Sequence, residues 1–235
     1  MTSDTPAAAK PARKDPFDLP DVSGLTVGVL GGTGDQGSGL AYRFAKAGQH
    51  VVIGSRSAER ARAAARELGL GVEGADNEEC ARRADLVIVA VPWEAHAETL
   101  EGLREALTGK LVVDCVNPLG FDKQGAYALR PKEGSAAQQA AGLLPDSRVT
   151  AAFHHLSAVL LRDARVEEIT TDVMVLGEDR ADTDLVQALA NRVPGMRGLY
   201  AGRLRNAHQV EALTANLISV NRRYRTHAGV RLTDV

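Results

Sequence analysis

The sequence predicts an α/β chain: a parallel sheet wound with helices on both faces, followed by a small C-terminal α/β lobe. Three observations carry this. A short apolar strand at 25–30 runs into Gly31-Gly32-Thr33-Gly34-Asp35-Gln36-Gly37, and a helical stretch follows at once. Residues 86–91, LVIVAV, are uninterruptedly apolar, the pattern of a parallel strand covered on both faces. Strand-like and helix-like segments then alternate along most of the chain.

Taken in order, residues 1–22 stand apart. They hold Pro6, Pro11, Pro16 and Pro20, an Ala7-Ala8-Ala9 run and scattered charge, with no apolar signal core. The composition reads as a disordered leader. The first strand then meets the glycine loop, in which Gly32, Gly34 and Gly37 fit G-x-G-x-x-G. This spacing between a strand and a helix is the fingerprint of a dinucleotide-binding, Rossmann-type fold. It predicts Gly32 at the tight turn, Gly34 close to a pyrophosphate, and Gly37 where helix packs on strand. The helix runs to Ala47, with Leu40 and Phe44 on one face and Gly48 as its stop.

Val51-Val52-Ile53 makes the second strand, and its end selects the nucleotide. An NAD site places Asp or Glu there, roughly 20 residues past the glycines. Here Gly54-Ser55-Arg56 follows, with Arg60 one turn on. A hydroxyl and a guanidinium bind a 2′-phosphate that a carboxylate would repel. The expected nucleotide is therefore NADP, while Arg62 and Arg66 fit a solvated helix face.

Ser57 caps a helix to Leu68, a short edge strand lies around Val72, and 76–83 forms another helix. After the buried strand at 85–91, Pro92 opens a helix over 92–107. A further strand covers 111–116 and ends in Asn117-Pro118. Val91, Pro92, Trp93, Asn117 and Pro118 thus sit at carboxyl ends of strands, beside the glycine loop. Trp93, the one tryptophan, fits a core role and a place against the nicotinamide equally well. Residues 121–133 lack a period and read as a loop over the site. A helix at 135–143 and a strand at 148–153 complete the parallel sheet. Beyond it come a strand at 172–177, a helix at 182–192, a strand-like piece at 198–200, and a long helix at 205–224. The domains expected are a leader 1–22, a nucleotide-binding domain 23–153, and a small lobe 154–235.

The whole chain has 235 residues, is 44% hydrophobic and carries a formal charge of −2, enough for a full core and without a nucleic-acid or membrane footprint. Cys80 and Cys115 are too few for a cysteine metal site, and no metal is expected; reduced thiols point to a cytoplasmic protein. Acid/base candidates are few. No lysine follows Lys132, and Tyr42 with Lys46 has the Y-x-x-x-K spacing on a helix where such a dyad does not belong. Adjacent strand residues face opposite ways, so His154 would face the cleft and His155 the core or a partner. No side chain is expected as an obligatory acid or base, and His154 is read as positioning a ring. That suits hydride transfer between two cofactors, where the protein supplies alignment. The alternatives are an NADP-dependent reductase of a small imine or carbonyl, and a non-catalytic NADP sensor.

Residues 30–37 (LGGTGDQG), Gly54-Ser55-Arg56, Val91-Pro92-Trp93-Glu94, 153–158 (FHHLSA) and 206–214 (NAHQVEALT) resemble the NADPH-dependent reductases of the deazaflavin coenzyme F420, over residues 25–232. The resemblance implies that Thr33, Gly34, Asp35, Gln36, Ser55, Arg56 and Arg60 hold the NADP phosphates. It implies that Val91, Trp93, Ala95, Ala158 and Ala228 line the nicotinamide half, with His154 and Leu156 near the deazaflavin. It also implies a homodimer. Arg60 stands where the family carries lysine, and His155-Leu156-Ser157 departs from its HTIP run.

Overall fold

The computed structural model describes residues 15–235. Of the leader expected over 1–22, residues 1–14 lie outside the described residues. Residues 15–22 are laid against the fold: Val22 is buried and its carbonyl accepts a hydrogen bond from the Gln49 amide at 2.8 Å. The globular part therefore begins earlier than residue 23.

β1 (Thr26–Leu30) leads through the glycine loop into α1 (Asp35–Lys46), then β2 (His50–Ser55), α2 (Ala58–Leu68), β3 (Glu73–Asp76), α3 (Asn77–Arg83) and β4 (Leu86–Val89). Capping side chains set several helix starts. Ser57 accepts from the Arg60 N–H at 3.3 Å, and Asp76 from the Glu79 N–H at 2.8 Å. The segment expected as one helix over 92–107 is two, α4 (Trp93–Gly102) and α5 (Arg104–Leu107), parted at Leu103, whose φ of −108° leaves the helical region.

β5 (Leu111–Asp114) is followed by a hairpin of β6 (Leu119–Asp122) and β7 (Gly125–Ala128) where a loop over 121–133 is expected. Asp122 closes its turn by accepting the N–H groups of Gln124 and Gly125, and Gly125 sits at φ 125°. This turn chemistry, not apolar alternation, specifies the hairpin. Then come α6 (Ala136–Leu143), β8 (Arg148–Ala151), α7 (Ala158–Arg162), β9 (Thr171–Gly177), α8 (Arg180–Asn191), β10 (Met196–Gly202), a single 3₁₀ turn (Leu204–Asn206) and α9 (Ala207–Tyr224).

Among the described residues, eight strands form one sheet in the order β10-β9-β8-β5-β4-β1-β2-β3. β3, β2, β1, β4, β5 and β8 are parallel; β9 joins antiparallel to β8, and β10 runs parallel to β9. The segment expected as a separate lobe thus extends the same sheet, so residue 153 divides one continuous layer. In β4 the run that reads as all apolar splits by period two. Leu86 and Ile88 pack with Val29, Phe44 and Val113 on one face, and Val87 and Val89 with Val52, Leu107 and Val112 on the other. The order reverses at β1, with β2 on one side and β4 on the other, which opens a crevice at the strands' carboxyl ends.

Candidate functional site

The glycine loop is shaped by steric closeness on both sides. Gly31, not Gly32, takes the left-handed turn, at φ 73°, and a side chain there would strike the carbonyl of Ala90. Gly32 is required for another reason: a Cβ on it would lie 2.5 Å from that of Ile53 on β2. At Gly37 a Cβ would come within 2.5 Å of the Gly31 carbonyl, so the close approach is of the helix to the glycine loop, where helix on strand is expected. Gly34 is exposed at the N-terminus of α1, and no side chain caps that end, leaving its N–H groups for an anion. The Asp35 carboxylate turns outward onto Arg162, so Asp35 faces the loop with its backbone rather than its charge.

One cavity is lined by Thr33, Gly34, Asp35, Gln36, Ser55, Arg56, Arg60, Asn77, Val91, Pro92, Ala95 and Thr99. Ser55 is buried, whereas Arg56 and Arg60 are exposed and have no acidic partner among the described residues. Two unpaired guanidiniums beside a helix N-terminus are groups of the kind that bind a phosphate. Asn77 is absent from the sequence-derived set. Its Oδ1 is buried without a partner, close enough to Gly54 that a Cβ there would meet it at 2.8 Å.

A second cavity, of about 410 Å³, shares Gln36, Ala90, Val91 and Pro92 with the first, so the two form one cleft. Trp93, Asn117, His154, Leu156, Ala158 and Ala228 line it. Trp93 is therefore a wall of the cleft that also packs against the core beneath it. Pro118 is the exception to the expected set: it is buried outside both cavities, and its carbonyl accepts the N–H of Leu129 from the hairpin. Gly32 and Gly37 shape the loop from beneath without lining the cavity.

His154 and His155 lie in a turn after β8, not on a strand, so the rule of opposite faces does not sort them. Both are buried, and both line the cleft. The His155 Nε2 is 2.6 Å from the Asp172 carbonyl, while neither ring nitrogen of His154 has a hydrogen-bond partner. Burial, against a smaller pull from Asp114, holds the His154 pKa down to about 4. A neutral ring whose two nitrogens are buried and unpaired among the described residues thus lies at the cleft. The turn is anchored at its backbone. Gln36 donates to the Phe153 carbonyl at 3.1 Å, and Asn117 and Thr214 both donate to the His154 carbonyl, at 2.7 and 3.1 Å. Behind it, Arg43 of α1 donates to the carbonyls of Leu160, Leu161, Asp163 and Val166 at the end of α7.

The fourth wall comes from the C-terminal segment, which places Thr214, Leu217 and Ile218 of α9 on the cleft. Past α9 the chain folds back. Ala228 donates to Asn221 at 2.6 Å, and Asp172 binds Arg197, Arg231 and the Leu232 N–H. This staple brings His227 and Ala228 to the rim.

The family profile described as "NADP oxidoreductase coenzyme F420-dependent" matches residues 26–118. An F420-dependent NADP reductase of Methanothermobacter marburgensis is 39% identical over 223 residues, covering 90% of this chain and 99% of its own. The enzyme of the same name from Methanothermobacter thermautotrophicus is 38% identical over 223 residues, with 90% and 96% covered. Among solved structures, a putative F420-dependent NADP-reductase from Arthrobacter sp. FB24 superposes with a TM-score of 0.73 at 25% identity, over 89% of this chain and all of its own. The glycine loop, the unpaired Arg56 and Arg60, the adjoining apolar pocket and this whole-length similarity agree: the chain belongs to the family of F420-dependent NADP reductases.

Proposed function

We propose that the chain moves hydride between NADP(H) and the deazaflavin coenzyme F420, both held in the one cleft. The observation that carries this is the continuity of two unlike cavities through Gln36, Val91 and Pro92, one cationic beside the glycine loop and one mainly apolar with an unpartnered neutral histidine. When bound, the nicotinamide and deazaflavin rings exchange hydride directly, and reduction of the deazaflavin takes up one proton.

The chain's own part is alignment. The N–H groups opening α1 and the backbone of Thr33, Gly34 and Asp35 hold the pyrophosphate, and Ser55, Arg56 and Arg60 the 2′-phosphate. Val91, Pro92, Trp93 and Ala95 flank the nicotinamide. The His154 ring offers its free N–H or lone pair to a polar edge of the deazaflavin, with Leu156 and Ala158 beside it. Clamped rings gain much of their reactivity from orientation, and no side chain is then required as acid or base. Beyond Ile218 the cleft meets a further cavity bearing Arg222, Arg223 and Arg225, none of which has an acidic partner among the described residues. These arginines suit the acidic tail of F420. Residues 23–153 carry the nucleotide, and 154–235 complete the F420 side. No helix among the described residues is long and apolar enough to cross a membrane. The reading includes a cytoplasmic homodimer.

Anaerobic mixing of the protein with NADPH and oxidised F420, followed by absorbance, tests the assignment. Bleaching of the deazaflavin band with NADPH consumed in equal amount is expected. NADPH binding without turnover would favour a sensor, and turnover of small imines or carbonyls alone would favour the other reductase.

A further inference from the structure

Behind the cleft lies a buried polar cluster outside both ligand cavities. His96 of α4 is fully buried; its Nε2 is 2.6 Å from Asp114 Oδ2, and its Nδ1 is 2.8 Å from Gln139 Oε1. Both ring nitrogens face oxygens, which a doubly protonated imidazolium satisfies by donating to each. Burial opposes that charge, yet the bond and charge of Asp114 outweigh it and the ring's pKa is raised. Glu211 of α9 adds its own charge from the far side. The titratable groups around the ring are thus Asp114 from β5 and Glu211 from α9, with Cys115 and His154 beyond Asp114.

Each member also grips a wall of the cleft. The Trp93 ring lies 5.6 Å from that of His96, at 30° between planes. Asp114 accepts the Val116 N–H at 3.1 Å with its second oxygen, fixing the strand exit that leads to Asn117. Glu211 accepts the N–H groups of Ala136 and Ala137, at 3.0 and 3.2 Å, and so docks α9 on the first turn of α6. One turn further on, Thr214 meets Asn117 at the His154 carbonyl.

We propose that His96, Asp114 and Glu211 are positioning residues for the hydride transfer: a buried His96–Asp114 ion pair, braced by Gln139 and Glu211, fixes the Trp93 wall relative to the His154 turn. This rests on the reading that these two walls hold the paired rings. None of the three lines either cavity of the cleft. They act through Trp93, Asn117 and Thr214, and a displacement of about 1 Å between aligned rings costs on the order of 10²-fold in rate.

Trp93 is the chain's one tryptophan, and an imidazolium against an indole quenches its emission, so the protein reports the state of His96 itself. Emission of the ligand-free protein is recorded against pH for the wild type, His96→Gln and Asp114→Asn. The wild type is expected to be dim at neutral pH and to brighten as pH climbs above the ordinary histidine range. Asp114→Asn should shift that step to lower pH, and His96→Gln should abolish it. With NADPH and F420 saturating, both variants should lose on the order of 10–100-fold in kcat while NADPH affinity changes less than about threefold. A step that survives in His96→Gln overturns the ion pair, and so does a wild-type profile with no step. Folded variants with full kcat overturn the positioning role. Should His96→Gln fail to fold, the near-isosteric Asp114→Asn still decides both points. A wild type that never reduces F420 would overturn the assigned function, and the positioning role with it, while the emission profile still judges the ion pair separately.

Discussion

Arg56 stands exposed at the end of β2 with no acidic neighbour within ion-pair distance among the described residues, and a charge-assisted hydrogen bond to phosphate is worth about 1.5–3 kcal/mol. Arg56→Ala should therefore weaken NADPH binding on the order of 10–100-fold, and Arg56→Asp should narrow or invert the preference over NADH by repulsion. Equal affinity of the wild type for NADH and NADPH, by titration, would contradict the assignment. His154 behaves differently, because burial keeps it neutral down to about pH 4. A ring so poorly basic is a weak proton donor at neutral pH, so His154→Asn should lower turnover well short of the roughly 10²–10⁴-fold of a lost general acid. Near-complete loss of single-turnover transfer with both cofactors bound would sink that view. At this scale the sequence was legible where chemistry is local: Ser55, Arg56 and the glycines follow from spacing along one strand-loop-helix unit. Asn77, Thr214 and the His96 cluster were not, because the groups that pair or face them come from strands and helices remote in sequence.

The helices show how a wall of the cleft is held. α9 is docked by the Glu211 carboxyl, 2% exposed, and burial raises its pKa to about 7 against the pull of the α6 N–H groups. A folded-state pKa above the unfolded value means that the folded protein holds this proton more tightly. The stability this group contributes is full below about pH 4.5 and is lost as pH rises through 7. His96, also raised, has the same sign. His154 has the opposite one: its contribution is full above about pH 6.5 and is lost as pH falls through 4. Glu211→Gln removes the first dependence. Whatever constant cost the lost acceptor brings, the difference in Tm should move in favour of Gln as pH rises from 4.5 to 7. A difference that stays flat across that window would show that folding leaves the Glu211 pKa unshifted. The sequence predicts a helix over 205–224, but the spacing of its apolar residues does not say that Leu217 faces a cavity while Val210 is buried in a core. Periodicity reports a face, not what lies against it.

Across the whole molecule the sheet order sets where the cleft opens, and the return of the chain beyond β8 sets how far it extends. That return is what the alternation of elements conceals. β9 is antiparallel to β8, and nothing in a seven-residue apolar strand states its partner or its direction. The hairpin of β6 and β7 packs beside α9 and brings Phe121 and Asp122 to the cavity that carries Arg222, Arg223 and Arg225. The arginines late in the chain divide by position: Arg203 pairs with Glu178 at 3.3 Å, whereas Arg222, Arg223 and Arg225 have no acidic partner among the described residues. A chain of net charge −2 can hold an acidic cofactor tail only by such local concentration. Exposed charges are screened over about 10 Å at 0.1 M salt, so the KM for F420 should climb steeply with ionic strength while kcat at saturation stays level. Arg222→Glu with Arg223→Glu should raise the KM for F420 and leave that for NADPH nearly unchanged, since Arg56 and Arg60, the proposed phosphate ligands, line the other end of the cleft. If steady-state kinetics find both Michaelis constants moving together, or neither, the tail is held elsewhere and these arginines belong to a subunit contact or to the solvated end of the helix.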